Sequence, residues 1–296
     1  MPLPGVVCPR CHGALVADSE SASCTACGAQ YPVVDGVPML VTALSPQHLH
    51  QREYFDAEFS GYDEYVIENW RLSFIERIFT ALRLVDGYEP YLDVGVGGSG
   101  ATVIEAGRRG VSALGCDLSM PGILRARDFA RREGVDERCS FAVCAAEKLP
   151  YEDRSMGSAS AVALLEHLDD DRAALAEIAR VMKPGARVWI TVPHTFRHIP
   201  PPLWPVYWWH DRRIGHKRHY SARRLWALGT EVGLQPVRTT YSGHPVKVAQ
   251  VGLGLFVRSM RRSSSRLWWT LERLDRRAES RPLGALQLNV VFERRT

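Results

Sequence analysis

The sequence has few of the features that mark membrane, secreted or nucleic-acid-binding proteins. Its 296 residues include 37 basic residues, of which only four are lysines. Because such a skew towards arginine can result from codon bias, arginine content alone is a weak sign of nucleic-acid binding. Its best apolar run, Val246 to Val257, is short and contains Lys247 and Gln250, whereas a membrane-spanning helix needs about 20 apolar residues. The opening residues, MPLPGVVCPRCHG, have no basic start followed by an apolar core, so we do not expect them to act as a secretory signal. We therefore expect a cytoplasmic protein whose seven cysteines are thiols or metal ligands.

The composition is that of a globular protein, with 46% hydrophobic and 24% charged residues. The length allows one large domain, or a moderate domain with a small one. The net charge of +4 is unevenly spread: residues 258–281 carry eight arginines against three acids, a net of +5, which leaves −1 for the rest. One basic segment therefore stands out from an otherwise balanced chain.

Four of the cysteines form the pattern C-x2-C-x12-C-x2-C. Two residues between the members of each pair let both thiolates turn towards one ion, and four thiolates complete a closed tetrahedral zinc shell. The alternative is four unrelated buried thiols. Because a closed shell has no open position and so short a segment cannot build its own core, we expect a structural zinc. The expected ligands are Cys8, Cys11, Cys24 and Cys27.

The segment around these cysteines, CPRCHGALV…CTACGAQYPVVDGVPMLV, resembles the small zinc-ribbon proteins that act as partners of RNA and protein methyltransferases. We place this zinc ribbon at 1–43. Members of that family work by docking to a methyltransferase, so the resemblance raises the question of whether one lies downstream. Residues 47–60 and 64–85 have apolar positions at helical spacing, and we expect two linking helices within 44–88.

A glycine-rich turn follows the first predicted strand of the main domain. The stretch YLDVGVGGSG, residues 91–100, runs from an apolar strand into glycines and then into a helix-like segment, which lets the backbone approach a ligand. A second strand ends in Asp117, 22 residues after Gly95, where an acid can accept both hydroxyls of a ribose. Strands and helices go on alternating, which indicates an open, mostly parallel α/β sheet.

Together these segments resemble a class I S-adenosylmethionine-dependent methyltransferase of the type common in small-molecule and quinone biosynthesis. The segments are LDVGVGGSG, GCDLS, AAEKLPY, LLEHLDD and VMKPGARVWITVP. The resemblance implies a Rossmann-like sheet of seven mostly parallel strands over 89–296, with S-adenosylmethionine as cofactor. The cofactor-binding residues that it implies are Asp93, Gly95, Gly97, Asp117, Leu118, Ala146, Glu147 and Leu164.

Three positions depart from the pattern of that family. Ala145 and Gly157 stand where the family usually has acids, and Val96 stands where it usually has cysteine. These departures leave a degenerate, non-catalytic cofactor-binding module as one alternative.

In this family a variable segment, here 194–220, lies near the substrate. It holds five of the ten histidines and three of the eight tryptophans, so we expect an aromatic lid with titratable groups. Methyl transfer to a hydroxyl needs a base, and histidine suits that role near neutral pH. His194 and His167 each follow a strand whose end faces the ligand crevice, and we predict His194 first and His167 second as the catalytic base. The expected substrate contacts are Trp208, Trp209, His216, His219 and Tyr220.

The fourth strand is followed by acidic residues that are compatible with a second metal site. Glu166 and His167, with Asp169 and Asp170, have the donor types to hold a divalent ion. An acidic helix start explains the same acids equally well. The sequence leaves both interpretations open.

The chain ends with two further predicted strands, near Gln235–Tyr241 and Ala285–Glu293, around a basic helical insertion at 244–282. Within the insertion Leu267, Leu271, Leu274 and Ala278 share one helical face, and we expect this face to pack on the body of the protein. Alternatively, the Arg-rich residues 258–281 meet an anionic membrane surface or a lipid-linked substrate, or they meet RNA.

The leading hypothesis is S-adenosylmethionine-dependent methyl transfer to a small or lipophilic acceptor, at oxygen, in secondary or lipid- and quinone-type metabolism. The LLEHLDD loop and the aromatic lid support it. The alternatives are an RNA methyltransferase that docks through the ribbon, and the non-catalytic module. Against RNA, the ribbon has Arg10 as its one basic residue before Arg52, together with three acids. The sequence indicates neither the acceptor nor the oligomeric state.

Overall fold

The computed structural model of the protein describes residues 2–61, 65, 67, 69–84, 88–195, 201, 204–244 and 266–295. These residues form two β-sheets, one of five strands and one of seven. The apolar run Val246 to Val257 and residues 258–265 of the basic segment lie outside the described residues. No helix in the described part of the chain is both long and apolar enough to cross a bilayer.

The N-terminal sheet is a small antiparallel meander around the clustered cysteines. Its strands, which pair in chain order, are β1 (Pro2–Val7), β2 (Ala14–Ala17), β3 (Ser21–Cys24), β4 (Gln30–Val34) and β5 (Val37–Pro38). One cysteine pair follows β1, and the other lies at the end of β3 and in the turn behind it. The large side chains of its core are Leu15, Tyr31 and Leu40. So few apolar side chains are a small core for a sheet of five strands.

The second sheet has the predicted Rossmann-like architecture. Its strands are β6 (Tyr91–Val94), β7 (Ala113–Asp117), β8 (Cys139–Val143), β9 (Met156–Val162), β10 (Met182–Pro193), β11 (Leu234–Ser242) and β12 (Gln287–Arg294). The order across the sheet is β11-β12-β10-β9-β6-β7-β8. Strand β12 is antiparallel to β10 and β11, whereas the other neighbouring strands are parallel. The strand order reverses between β6 and β9, and a ligand crevice forms at such a switch point.

Helices cover the large sheet, and the first of them is tied to the loop after β9. The helices are α1 (Pro46–Phe59), α2 (Asn69–Leu82), α3 (Ala101–Arg108), α4 (Met120–Arg132), α5 (Asp171–Val181), α6 (Trp204–Ile214), α7 (Ala222–Glu231) and α8 (Arg266–Arg277). Ser45 and His48 form a reciprocal capping box at the start of α1. Ser45 Oγ also donates to Asp169 Oδ2 at 2.8 Å. This contact sets the start of α1 over the carboxyl end of the sheet.

The N-terminal sheet joins the large sheet at the edge strand β8. Leu40 N donates to Val143 O at 2.8 Å, and Met39 pairs with Val143 in a parallel bridge. Val7 N donates to Pro150 O at 2.9 Å. Because an open sheet edge leaves N–H and C=O groups unpaired, these backbone contacts protect β8 and hold the two sheets together.

Helix α8 buries two acids and exposes Leu274. Glu272 and Asp275 are buried, whereas Leu274 is 42% exposed. Asp275 Oδ1 accepts from His244 N at 3.0 Å, and its other oxygen lies 3.8 Å from Arg77 Nη1. The predicted packing of Leu274 on the body is therefore wrong, because hydrogen bonds and ion pairs hold this helix in place.

Candidate functional site

A cavity of about 950 Å³ opens at the switch point of the large sheet. Its floor is formed by the loops that follow β6, β7, β8 and β9, and one wall is formed by α1 and α2. Apolar side chains dominate that wall, among them Phe55, Phe59, Phe74, Ile75 and Ile78. The size and lining are those of a small-molecule site.

The glycine-rich loop after β6 forms one end of the cavity. Gly95 and Gly97 have φ angles of +77° and +66°, a region that other residues rarely adopt. A Cβ on Gly98 would lie 2.7 Å from Cβ of Phe59, and a Cβ on Gly95 would lie 3.0 Å from Cδ1 of Leu164. Gly95 and Gly98 therefore have room for backbone alone, and the loop leads directly into α3.

Asp117 lines the cavity beside this loop. Its Oδ2 accepts from Gly97 N and its Oδ1 accepts from Ser119 N, each at 3.0 Å. Burial raises the pKa of the Asp117 carboxyl, and these backbone N–H groups oppose that rise. The carboxylate thus fixes the glycine loop and keeps acceptor capacity towards the cavity.

Asp93 lies beneath the loop and is not among the described residues that line the cavity. Ser160 and Thr102 each donate a hydroxyl hydrogen bond to its carboxylate. Burial raises its pKa to about 6, against the effect of these two hydroxyls. Asp93 therefore supports the loop from below.

The remaining predicted cofactor residues lie around the same end of the cavity. Glu147 Oε1 is 3.1 Å from Nε2 of His48 on α1, so α1 closes over this end. The residues that line the cavity here are Leu118, Ala146, Glu147 and Leu164.

Helices α1 and α2 are predicted as linkers, yet they form one wall of the cavity. Phe59 packs against the glycine loop, and a Cβ on Gly122 would also lie 2.7 Å from its Cδ2. The aromatic pair Phe55 and Phe59, four residues apart on one helical face, is the sequence signal for this role. Their rings stack with centroids 5.4 Å apart.

The two histidines predicted as the base occupy different positions. His167 lines the cavity, and its ring meets Phe55 edge-on at 5.3 Å. Burial, with a smaller effect from His216, lowers the pKa of His167 to about 3. His194 is 2% exposed and is not among the described residues that line the cavity. Its N donates to Leu286 O at 2.8 Å.

The predicted substrate contacts divide into exposed and buried residues. Trp208 and Trp209 are 58% and 61% exposed, and Arg212 and Arg213 lie over their rings. Tyr220 is fully buried, and its hydroxyl donates to Asp171 Oδ2 at 2.7 Å.

The other two predicted contacts, His216 and His219, both turn towards Asp211. Nδ1 of His216 is 2.8 Å from Oδ1 of Asp211, and Nε2 of His219 is 3.0 Å from Oδ2. Neither histidine is among the described lining residues, whereas Tyr207 of α6 is. Sequence reasoning missed Tyr207.

The cysteine cluster has the donor set of a structural zinc site. Its four sulfur atoms all lie within 4.8 Å of one another, with Cys11 and Cys24 at 3.5 Å and Cys8 and Cys27 at 3.8 Å. Zinc binds the thiolate form of cysteine, and four thiolates complete its tetrahedral shell. These residues therefore fit the ion that the sequence predicts.

The cavity also fits S-adenosylmethionine, as judged from the chemistry of the residues that line it. The glycine loop lines one end of the cavity, Asp117 offers carboxylate oxygens to hydroxyl groups, and the neighbouring wall is apolar. These are the polar and apolar surfaces that a nucleoside joined to an amino acid requires.

The central part of the chain is similar to known proteins. Residues 92–190, about a third of it, match the family model described as a methyltransferase domain. This central part of the chain is similar to a methyltransferase domain. Methyltransferase GfsG of Streptomyces halstedii is 33% identical over 113 residues, which are 38% of this chain and 40% of that protein. The 27-O-demethylrifamycin SV methyltransferase of Amycolatopsis mediterranei (strain S699) is 30% identical over 154 residues, 52% of this chain and 54% of that protein.

The chain thus spans about half or less of the length of the curated relatives it matches. A solved structure supports the fold of the methyltransferase domain over a longer range. The geranyl diphosphate C-methyltransferase of Streptomyces coelicolor A3(2) superposes with a TM-score of 0.61 at 15% identity, covering 86% of this chain and 100% of that chain.

Proposed function

We propose that the protein transfers a methyl group from S-adenosylmethionine to a small or lipophilic acceptor. One observation carries this proposal: the glycine loop and Asp117 lie at one end of a cavity that continues past them along an apolar wall. The curated relatives are methyltransferases, and two of those matched carry O-methyltransferase names, from Aspergillus sclerotiorum and Oryza sativa subsp. japonica. When bound, the cofactor supplies an electrophilic methyl group on a sulfonium.

The residues around the glycine loop are proposed to bind and orient the cofactor. Gly95 and Gly97 take its amino-acid part against their backbone, and Asp117 accepts hydrogen bonds from the ribose. Asp93 holds the loop from below, since Ser160 and Thr102 occupy its carboxylate. The adenine is proposed to lie between Leu118, Ala146 and Glu147, with Leu164 facing the reactive end.

The acceptor is proposed to lie along the wall of α1 and α2. Phe55, Phe74 and Ile75 line it, so an apolar molecule gains by leaving water there. Three arginines, Arg52, Arg71 and Arg77, also line the cavity. Oxygen is the proposed methylated atom, and His167, rather than His194, is the proposed histidine at the acceptor end, because His167 lines the cavity.

The ribbon at 1–43 is proposed to bind structural zinc and to act as a fused counterpart of the separate zinc-ribbon partners. The contacts of Leu40 and Val7 with the β8 side of the large sheet support a bracing role. We propose that 44–88 and 89–296 are the helical wall and the methyltransferase domain, with a lid at 194–220 and a basic insertion at 244–282.

The basic segment 258–281 is proposed to touch an anionic membrane surface. The outward face of α8 carries exposed Arg273, Leu274 and Arg277, a mixture that suits charged headgroups and shallow apolar contact. Sedimentation with phosphatidylserine vesicles should carry the protein down, and the variant with Arg273→Glu and Arg277→Glu should stay in solution. Equal sedimentation of both proteins would overturn this proposal.

The experiment that tests the proposed function is transfer of radiolabelled methyl from S-adenosylmethionine into a fractionated extract of the source cells. Label in the small-molecule or solvent-soluble fraction, absent with Asp117→Asn, is the expected result. Label in RNA instead would favour the RNA methyltransferase. Failure of the wild-type protein to bind S-adenosylmethionine would favour the degenerate module.

A further inference from the structure

A cluster of ionisable side chains lies behind the acceptor end of the cavity. The 3-10 turn Leu165–His167 after β9 brings Glu166 and His167 next to His216, which follows α6. The rings of His167 and His216 have centroids 4.9 Å apart, and Nε2 of His216 is 3.7 Å from Oε1 of Glu166. One donor atom from each of the three residues lies within 4.8 Å of the other two.

Two donor atoms of this cluster are buried without a hydrogen-bond partner in the described part of the chain. They are Oε2 of Glu166 and Nδ1 of His167, on residues that are 1% and 7% exposed. A buried polar atom without a partner costs free energy. The cluster has the chemistry of a site that a cation would complete.

Asp211 holds His216 in the orientation that a metal ligand needs. Nδ1 of His216 lies 2.8 Å from Oδ1 of Asp211, which places the proton on Nδ1 and leaves the lone pair on Nε2, facing Glu166. His219 contacts the other oxygen of Asp211 at 3.0 Å. A carboxylate behind a histidine is the usual outer partner of a metal-binding imidazole.

We propose that Glu166, His167 and His216 bind a divalent transition-metal ion, with Asp211 as the outer partner of His216. Two imidazoles and one carboxylate suit ions such as Mn²⁺, Fe²⁺, Co²⁺ or Zn²⁺ and leave coordination positions open. Metal–ligand bonds of about 2.0–2.2 Å place the donor atoms roughly 3–3.5 Å from one another. Side-chain movements on the order of 1 Å would therefore bring the three donor atoms to bonding distance of one ion.

The position of the site gives the ion a use in the proposed reaction. His167 lines the cavity, so an ion held by these residues would lie next to the acceptor end. A divalent ion lowers the pKa of a coordinated hydroxyl, which is the help that methyl transfer to oxygen requires. This role rests on the proposed function, whereas the site itself rests on the side chains alone.

The test is a titration of the full-length, zinc-loaded protein with Mn²⁺, followed by electron paramagnetic resonance. Mn²⁺ is suited to this purpose because it prefers oxygen and nitrogen donors over the thiolates of the ribbon. We expect one bound Mn²⁺ per chain. Glu166→Gln and His216→Gln should abolish binding, and Asp211→Asn should weaken it about 10–100-fold. His50→Gln, at an exposed histidine of α1, is the matched control and should bind as the wild type does.

A thermal measurement separates loss of the metal from loss of the fold. Glu166→Gln removes a buried carboxylate and keeps its shape, so without Mn²⁺ its melting temperature should equal or exceed that of the wild type. Added Mn²⁺ should raise the melting temperature of the wild type and not that of the variant. No binding at about 1 mM, or equal binding by the wild type, Glu166→Gln and His216→Gln, would overturn the site.

Two further results decide the donor set and its link to the reaction. Binding that survives His167→Gln but is lost in His219→Asn would assign the ion to Asp211, His216 and His219 and refute our assignment. Binding of S-adenosylhomocysteine uses the other end of the cavity. A protein that binds it but no Mn²⁺ therefore refutes the metal site alone, and one that binds Mn²⁺ but not S-adenosylhomocysteine refutes the proposed function alone.

Discussion

Replacing Asp117 by asparagine is predicted to weaken cofactor binding while leaving the domain folded. The Asp117 carboxylate accepts from Gly97 N and from Ser119 N, one with each oxygen. Asparagine keeps the size of the side chain but has one acceptor oxygen, so its NH₂ group faces one of these N–H donors. The amide also loses the charge that strengthens hydrogen bonds to ribose hydroxyls.

The size of the effect follows from the number of bonds lost. A hydrogen bond to a charged group contributes about 1.5–3 kcal/mol. The bond to the glycine loop is present without the cofactor, so only the bond to the ribose enters the binding free energy, and its loss amounts to about 1.5–3 kcal/mol. At about 1.4 kcal/mol for each tenfold change, the affinity for the cofactor should fall about 10–100-fold.

Isothermal titration calorimetry with S-adenosylhomocysteine, the stable reaction product, measures this loss directly. The control is Asp128→Asn on α4, whose side chain is 49% exposed and pairs with Arg127; it should bind as the wild type does. A folded Asp117→Asn protein with an affinity within about fivefold of the wild type would refute the proposed role of Asp117.

Three other perturbations test the ribbon, the buried acid and the wall. Cys24→Ser should unfold the ribbon, because metal binding supplies much of its folding energy. Calorimetry should then show a lower melting temperature, and proteolysis should cut within the first 41 residues. An unchanged melting temperature would contradict this prediction. Burial raises the pKa of Asp93 from 3.8 to about 6, so the folded protein holds this proton more tightly than the unfolded chain. The contribution of Asp93 to the free energy of unfolding should therefore fall as pH rises from about 4 to about 6; Asp93→Asn should reduce the pH dependence in urea titrations, and an identical pH profile counts against the assignment. Gly98→Ala should cost about 1–3 kcal/mol in denaturant unfolding, since its Cβ would lie 2.7 Å from Cβ of Phe59; a neutral effect would mean that α1 does not pack here.

Much of the sheet and of the cofactor end of the cavity could be predicted from the sequence, because both depend on local patterns. Apolar strands followed by Gly95 and by Asp117 predict a parallel sheet with a ligand at its carboxyl edge. The predicted strands near Gln235–Tyr241 and Ala285–Glu293 correspond to β11 and β12 within about two residues.

The acceptor end could not be predicted because it depends on contacts between distant segments. The sequence predicts α1 as a linker. In the structure it forms part of the cavity wall because Phe59 packs against Gly98 and Gly122. The approach of His167 to His216 joins residues 49 positions apart through the fold alone.

Helix α8 misleads for a different reason. Its leucines recur at helical spacing, yet Glu272 and Asp275 are buried and Leu274 is exposed. The spacing of apolar residues carries no information about a distant hydrogen-bond partner. Here that partner is His244, whose contact with Asp275 makes burial of the acid favourable.

A crystal structure of the protein with S-adenosylhomocysteine tests the central claim most directly. The account predicts the ribose hydroxyls within hydrogen-bond distance of Asp117, the amino-acid part against Gly95 and Gly97, and the sulfur facing the side of the cavity that His167 lines. A ligand bound elsewhere, or a glycine loop that excludes it, would contradict the account.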